Sequence, residues 1–249
     1  MTALTIRGLG HAYLGRTVLS RINLSVETGE ILALVGPSGC GKSTLAHVAA
    51  GLIEPKSGRV ARSYRRHAMI FQDPALMPWA TAAGNVDYVL RLGHVPRRER
   101  PMRIAEAARE VALEPEDLGK YPVELSGGMR QRVAIARALA IRPDFIYFDE
   151  PFTALDVALR RRMQDIVIAT CAGGGLAGLF ITHDLHEAAR VAHRIAVLDT
   201  RGTGILGSRP LPGLPGTRSD AQVQAWVAAA LAHDPLFLHI HDVDERQIA

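Results

Sequence analysis

A glycine-rich stretch near the N-terminus constrains this 249-residue chain more than any other feature. It matches G-x-x-x-x-G-K-[S/T], a loop whose backbone N–H groups cradle phosphates. An apolar, β-prone run over 31–35 predicts a buried strand before it, and residues 42–50 predict a helix after it. The pattern therefore predicts a strand–loop–helix unit that binds a nucleoside triphosphate with Mg²⁺. The loop consists of Gly36, Pro37, Ser38, Gly39, Cys40, Gly41, Lys42, Ser43 and Thr44.

The chemistry of this loop follows from its backbone. Glycines let main-chain N–H groups turn inward because no Cβ obstructs them, and a helix N-terminus attracts an anion. Lys42 is placed to reach the β- and γ-phosphates, and the Ser43 hydroxyl is placed to ligate Mg²⁺. The alternative is a chance glycine-rich turn, which the complete pattern in this setting disfavours.

Length and cysteine content bound the fold and the compartment. A chain of 249 residues forms one domain, or one domain with a smaller lobe, and can bury a sizeable core. Cys40 and Cys171 are far apart in sequence, so we expect no disulfide framework and a reducing compartment. The N-terminus lacks a signal-peptide pattern. No apolar run approaches the ~20 residues of a transmembrane helix.

The chain is mildly basic, with a net charge of +4, and many of its arginines are clustered. Such clusters suit a nucleic acid or an anionic membrane surface. Aromatic residues are not interleaved with them as in a base-stacking platform, so a solvated surface is favoured and no nucleic-acid partner is expected. The clusters are Arg62, Arg65 and Arg66; Arg97, Arg98, Arg100 and Arg103; and Arg160, Arg161 and Arg162.

The hydrophobic pattern divides the chain into recognisable parts. Short β-like runs with turns occupy residues 4–35, and residues 73–140 have the composition and spacing of a helical insertion. Apolar runs at 145–148, 177–182 and 194–198 alternate with helical segments. Strand alternating with helix predicts a mainly parallel sheet with helices on both faces.

The C-terminal part follows a Gly/Pro-rich connector over 202–216, which predicts a boundary. Ser219 and Gln222 fit a capping box, and an apolar helical face then follows. The tail contains histidines and aspartates that suggest a metal, but their spacing matches no compact zinc pattern, which favours a solvated tail or small packing element. The face comprises Val223, Trp226, Val227 and Ala230, and the tail His233, Asp234, His239, His241, Asp242 and Asp244.

Two carboxylates end the apolar run over 145–148. Asp149 is the expected Mg²⁺ partner of a P-loop, and Glu150 is placed to orient and deprotonate the attacking water. Alone, such a run is compatible with a strand that simply ends at solvent. A second glycine-containing helix start, Ser126-Gly127-Gly128, offers an N-cap and another anion site. On this motif alone, a plain loop-to-helix turn is equally compatible.

Together these residues resemble the nucleotide-binding subunit of an ABC transporter over about residues 3–200. The resemblance implies an α/β fold, with a P-loop NTPase core, a mainly parallel sheet, an N-terminal antiparallel β-lobe and a helical insertion. It implies a cassette over residues 1–205 with a helical subdomain at about 73–140. Residues 206–249 would then form the connector and a short C-terminal helical extension.

The resemblance assigns roles to further residues. Tyr13 lies at the position of the adenine-stacking aromatic, and Gln72 at that of a Q-loop glutamine, which contacts Mg²⁺ and the attacking water. Asp156 lies in the D-loop Ala154-Leu155-Asp156, and His183 corresponds to a switch histidine that holds the γ-phosphate, Glu150 and water in line. Without the resemblance, a packed aromatic, a surface glutamine and a structural histidine are the alternatives.

Two positions depart from the family pattern. Met129 stands where the commonest signature motif has Gln, and Thr153 stands where Gly is usual. Ser126 and Gly128, the signature residues expected to touch phosphate, are retained. The departure at residue 129 therefore affects the packing behind the signature helix more than the binding of ATP.

The resemblance also implies partners. In the family two nucleotide-binding subunits form a head-to-tail dimer, with ATP and Mg²⁺ between one P-loop and the other signature motif. The resemblance further implies a separate permease, an extracytoplasmic solute-binding protein, and a peripheral location on the cytoplasmic face of the inner membrane. The segments 71–79 and 149–156 resemble the nitrate/sulfonate/taurine importer branch, which suggests a small anionic or polar solute.

Two other functions are alternatives to that of an importer ATPase. A soluble ABC ATPase of DNA repair or translation usually carries a long coiled coil or two cassettes, and the sustained heptads of a coiled coil are absent from this sequence. A degenerate cassette used as a scaffold is disfavoured because each catalytic position is filled. Those positions are Lys42, Gln72, Glu150 and His183.

Overall fold

A computed structural model of the chain describes residues 1–153, 155–172 and 175–238. Its strands form two sheets. The first is antiparallel, in the order β2 (Arg16–Glu27), β1 (Thr2–Tyr13), β4 (Ser57–Arg62). The second has the order β5 (His67–Ile70), β6 (Phe145–Asp149), β7 (Ala177–Ile181), β3 (Ile31–Val35), β8 (Arg194–Leu198), β9 (Ile205–Pro210). All its pairings are parallel except β8 with β9. The predicted fold class is confirmed.

The N-terminal strands are longer than the short runs predicted for residues 4–35. β1 and β2 each span 12 residues and form a hairpin in which Tyr13 pairs with Arg16. The two loop residues, Leu14 and Gly15, both have positive φ (47° and 84°), as a tight type I′ connection requires. Register shifts within the pair interrupt the alternation of apolar residues. Those interruptions made one long strand resemble several short ones.

The central strands are buried along their whole length. Every residue of β3, β6 and β7 is buried, as expected for parallel strands covered on both faces. One hydrophobic core lies between the two sheets and includes Leu4, Ile22 and Leu34 together with Leu45 of the first helix. Because β3, β6 and β7 run parallel, their C-terminal ends meet at one edge of the sheet.

Seven α-helices surround the sheets in the described part of the chain. They are α1 (Lys42–Ala50), α2 (Ala82–Leu92), α3 (Arg100–Glu110), α4 (Gly127–Ala140), α5 (Val157–Ala172), α6 (Leu185–Val191) and α7 (Asp220–His233). Helices α2, α3 and α4 lie within residues 73–140, the segment predicted to be a helical insertion. Buried Asn85 anchors the entry to α2, since its amide donates to the carbonyl oxygens of Met77, Ala80 and Thr81. No helix within the described ranges is long and apolar enough to cross a bilayer.

The C-terminal region packs against the core. Strand β9 lies inside the segment predicted as a connector and pairs with β8. The capping box of Ser219 and Gln222 at the start of α7 is confirmed. Asp220, the first residue of α7, pairs with Arg161 at 2.7 Å and with Arg190 at 3.4 Å.

The predicted histidine and aspartate tail is described only in part. Asp234 forms an ion pair with Arg209 at 2.7 Å. Over residues 1–153, 155–172 and 175–238, no group of three His, Cys, Asp or Glu side chains is placed to hold a metal. The remaining members of the tail, His239, His241, Asp242 and Asp244, lie outside the described residues.

A buried carboxyl group in α6 predicts a pH-dependent stability. Burial raises the pKa of Glu187 above its ordinary value of 4.5, although the Gln164 amide donates to the carboxylate at 3.2 Å. The folded state therefore holds this proton more tightly than the unfolded chain does. The contribution of Glu187 to stability is complete below pH 4.5 and is lost as the pH rises through the raised pKa.

We expect Glu187→Gln to gain thermal stability relative to the parent as the pH rises from about 4.5 to 8. The difference in melting temperature should grow by about 2–4 °C, the shift that about 1 kcal/mol produces in a chain of this size. Differential scanning calorimetry at both pH values measures it. Glu116→Gln, at an exposed position, should show no such trend. A constant difference for Glu187→Gln would contradict the assignment.

Candidate functional site

A cleft of about 530 Å³ lies where the C-terminal ends of β3, β6 and β7 meet. It contains much of the predicted site. A larger cavity of about 660 Å³, around Arg142 and Thr170, contains none of those residues. The smaller cleft is lined by Val18, Ser38, Gly39, Gly41, Lys42, Ser43, Thr44, Gln72, Glu150, Thr153 and His183.

The P-loop surrounds the start of α1. No side chain caps this helix, and Gly41, the residue before it, has a left-handed φ of 105°. A Cβ at Gly41 would lie 2.9 Å from Leu19 Cδ2 and 3.1 Å from Val18 Cγ1, so any other residue would have to displace these side chains as well as adopt a strained φ. The first N–H groups of α1 lack a side-chain cap and offer an anion site. Lys42 is buried and its Nζ donates to the carbonyl oxygens of Gly36 and Pro37 at 2.8 and 2.7 Å.

A second glycine supports the loop from outside the motif. Gly202 follows β8 and has φ of 65°, and its carbonyl oxygen accepts a hydrogen bond from Ser20 N–H at 2.9 Å. A Cβ there would collide with the carbonyl oxygen of Val18 and lie 2.8 Å from that of Cys40. The sequence placed Gly202 only at the start of a connector. Its close approach to Val18 and Cys40 depends on tertiary packing, which no local pattern reveals.

Asp149 lies beside the P-loop. The Ser43 hydroxyl donates to Asp149 Oδ1 at 2.7 Å, and His47 Nε2 lies 3.5 Å from Asp149 Oδ2. Burial raises the pKa of the Asp149 carboxyl, and the Ser43 hydrogen bond and His47 oppose that shift. The Ser43 hydroxyl, the Asp149 carboxylate and the side-chain amide of Gln72, which lines the cleft, offer oxygen ligands of the kind that Mg²⁺ prefers. His47 was not predicted from the sequence.

Glu150 and His183 are in direct contact. His183 Nδ1 lies 3.1 Å from Glu150 Oε2 at the mouth of the cleft. Glu150 has φ of 45°, a conformation uncommon for a residue with a Cβ. Its N–H donates to the Ile181 carbonyl of β7 at 3.0 Å, which holds the turn in place. The strained backbone thus presents the carboxylate to the histidine rather than continuing β6.

Helix α4 is fastened to the loops on either side of the cleft. Buried Gln131 donates through Nε2 to the carbonyl oxygens of Pro151 at 2.7 Å and Phe71 at 3.4 Å. Arg137 donates to the carbonyl oxygens of Pro74 at 2.8 Å and Ala75 at 2.9 Å. The loop containing Gln72 and the loop containing Glu150 are therefore bound to one helix. No local sequence pattern indicates this role of Gln131.

The remaining predicted residues do not line this cleft. Ser126 caps α4, since its hydroxyl accepts from Met129 N at 3.3 Å, and the following residues, Gly127 and Gly128, lie in the first turn of that helix. Asp156 accepts from Leu159 N at 2.9 Å at the start of α5. Tyr13 is exposed and meets His11 edge-on. Ala154 lies outside the described residues.

Family comparison agrees with this geometry. Residues 19–153 match the family described as ABC transporter. The aliphatic sulfonates import ATP-binding protein SsuB 2 of Pseudomonas syringae pv. tomato is 40% identical over 222 residues, which cover 88% of this chain and 93% of the relative. The taurine import ATP-binding protein TauB of Sinorhizobium fredii is 39% identical over 233 residues, covering 90% and 85%.

Two further comparisons are with a relative that this chain covers only in part and with a solved structure. The Fe(3+) ions import ATP-binding protein FbpC 2 of Rhodococcus jostii is 39% identical over 220 residues. These cover 83% of this chain but only 62% of that relative. The dimeric structure of the ATP-binding cassette MJ0796 in a post-hydrolysis state, bound to ADP and Pi, superposes with a TM-score of 0.76 at 28% identity. It covers 85% of this chain and 100% of that one.

Proposed function

This chain belongs to the ABC transporter family, and we propose that it is the subunit that binds and hydrolyses ATP to drive an importer. The observation that carries the proposal is the contact between Glu150 and His183 at a cleft that also contains the P-loop. A structural carboxylate–histidine pair would not need the strained φ of Glu150. Backbone strain of this kind clusters at active sites, which supports a catalytic role for Glu150.

The P-loop residues bind the phosphates of ATP. The N–H groups at the start of α1 would face the phosphates, and Lys42, which now donates to the carbonyl oxygens of Gly36 and Pro37, would donate to phosphate oxygens instead. Mg²⁺ neutralises charge on the phosphates when it is bound. Ser43, Asp149 and Gln72 are the residues that would hold it, and their hydroxyl, carboxylate and amide oxygens fit that ion.

Glu150 acts as the general base for hydrolysis. Its carboxylate accepts a proton from the water that attacks the γ-phosphate. His183 keeps the carboxylate oriented through the 3.1 Å contact between Nδ1 and Oε2. Gln72 positions the same water through a neutral amide, which can move without burying a charge.

A second copy of the chain completes the site. The signature residues Ser126, Gly127 and Gly128 lie outside their own cleft, at a helix N-terminus that favours phosphate. In a head-to-tail dimer they would contact the γ-phosphate bound to the other P-loop. Tyr13 would stack on the adenine, and Asp156 would lie at the dimer interface.

The transport partners are proposed from the relatives and the surface. The named relatives are import proteins for aliphatic sulfonates, taurine and Fe(3+) ions, and we favour a small anionic or polar solute for this chain. A permease would dock near residues 72–100, where Trp79, Tyr88 and Leu92 are exposed. A solute-binding protein would deliver the solute, and this subunit would lie on the cytoplasmic face of the inner membrane.

Copurification tests this function. The chain should copurify with a permease encoded beside its gene, and the assembled complex should hydrolyse ATP faster when the loaded solute-binding protein is added. The ligand of that binding protein then identifies the solute. Stable association with DNA or ribosomes, without a membrane partner, would instead support a soluble ATPase.

A further inference from the structure

A histidine outside the recognised motifs lies against the proposed cation site. His47 is on α1, four residues after Ser43, so both side chains lie on the same face of the helix. Ser43 holds one oxygen of Asp149 at 2.7 Å, and His47 Nε2 lies 3.5 Å from the other. The two residues of α1 therefore flank the two oxygens of one carboxylate.

The ring of His47 is held in this position by packing. It meets Phe71 edge-on, with ring centroids 5.8 Å apart, and Phe71 precedes Gln72. His47 Nε2 is buried and has no hydrogen-bond partner among the described residues. A buried polar atom needs a partner, and Asp149 Oδ2 is an acceptor a few tenths of an ångström beyond hydrogen-bond distance.

We propose that His47 is a positioning residue that orients the Asp149 carboxylate and thereby sets the affinity of the site for its divalent cation. The inference rests on the proposed function, because it concerns the cation that accompanies ATP. A partner that hydrogen-bonds a ligating carboxylate fixes its orientation, and the loss of such a partner typically costs about 10–100-fold in metal affinity. The neutral ring with its proton on Nε2 suffices for this role.

The reach of the side chain gives matched variants. Gln places its amide nitrogen about where Nε2 of His lies, Asn is too short, and Leu fills the space without a donor. All three are compared in the full-length chain with Glu150→Gln as the parent, so that ATP is not consumed. Free Mn²⁺ is titrated against protein and ATP and measured by electron paramagnetic resonance. ATP binding in EDTA is measured alongside.

We expect His47→Leu and His47→Asn to weaken Mn²⁺ binding about 10-fold or more, and His47→Gln to lose clearly less affinity than either. ATP binding in EDTA should stay unchanged in all three. Parent-like Mn²⁺ affinity in the Leu variant would overturn the inference. So would an equal loss of metal-free ATP binding, since it would indicate general damage to the fold. A parent that binds no ATP would remove the proposed function as well.

Discussion

Replacing Glu150 by Gln is expected to abolish ATP turnover while ATP binding persists. In the parent, Glu150 Oε2 lies 3.1 Å from His183 Nδ1. The Gln side chain keeps the same shape and reach to His183, but its amide cannot accept the proton of the attacking water. General-base catalysis contributes about 10²–10⁴-fold, so phosphate release should fall at least about 100-fold. Because bound ATP is no longer cleaved, the dimer should accumulate with ATP.

Phosphate release and size-exclusion chromatography with ATP measure the two effects. His183→Ala provides the matched comparison, because it removes the partner and leaves the carboxylate. If the pair acts as a unit, the double variant should be little slower than Glu150→Gln alone. Undiminished hydrolysis by Glu150→Gln would refute Glu150 as the base.

Replacing Lys42 by Met should remove most of the affinity for ATP. The unbranched side chain fills similar space, but the buried cation of the P-loop is lost. A hydrogen bond to a charged group contributes about 1.5–3 kcal/mol, so the dissociation constant should rise about 10–150-fold. The fold should persist, because the hydrogen bonds that Lys42 Nζ forms with described residues stay within the P-loop, to the carbonyl oxygens of Gly36 and Pro37 and the Cys40 sulfur.

Fluorescent-nucleotide titration measures that loss. Lys56→Met is the matched control, since Lys56 is exposed on the segment before β4 and lines no part of the cleft. It should bind ATP as the parent does. If Lys42→Met retained parental affinity with an unchanged melting temperature, the site would bind phosphate without this cation.

The parts of the site that could be predicted are those with a local signature. The P-loop requires glycines and a lysine at fixed spacing, and a buried strand that ends in two acids identifies Asp149 and Glu150. His47, Gln131 and Gly202 have no such signature, because their roles depend on residues distant in sequence.

The fold shows the same division. Apolar runs located β6, β7 and β8 to within one residue of their ends, since buried parallel strands are continuous in hydrophobicity. The sequence predicts several short strands where the structure has the long hairpin of β1 and β2, because register shifts in that hairpin break the alternation of apolar residues. Strand β9 was missed because a Gly/Pro-rich composition concealed a short edge strand.

The attachments of α4 give the molecule a mechanical property. Its first turn carries Gly128, while Gln131 and Arg137 are bound to backbone carbonyls of two separate loops. If α4 moves as a rigid body, a displacement of its first turn would shift both loops together. In a dimer, the degree to which the two sites hydrolyse ATP in a coordinated way would then depend on the rigidity of α4. A more flexible α4 would let the two sites hydrolyse ATP independently of each other, while each site kept its own catalytic residues.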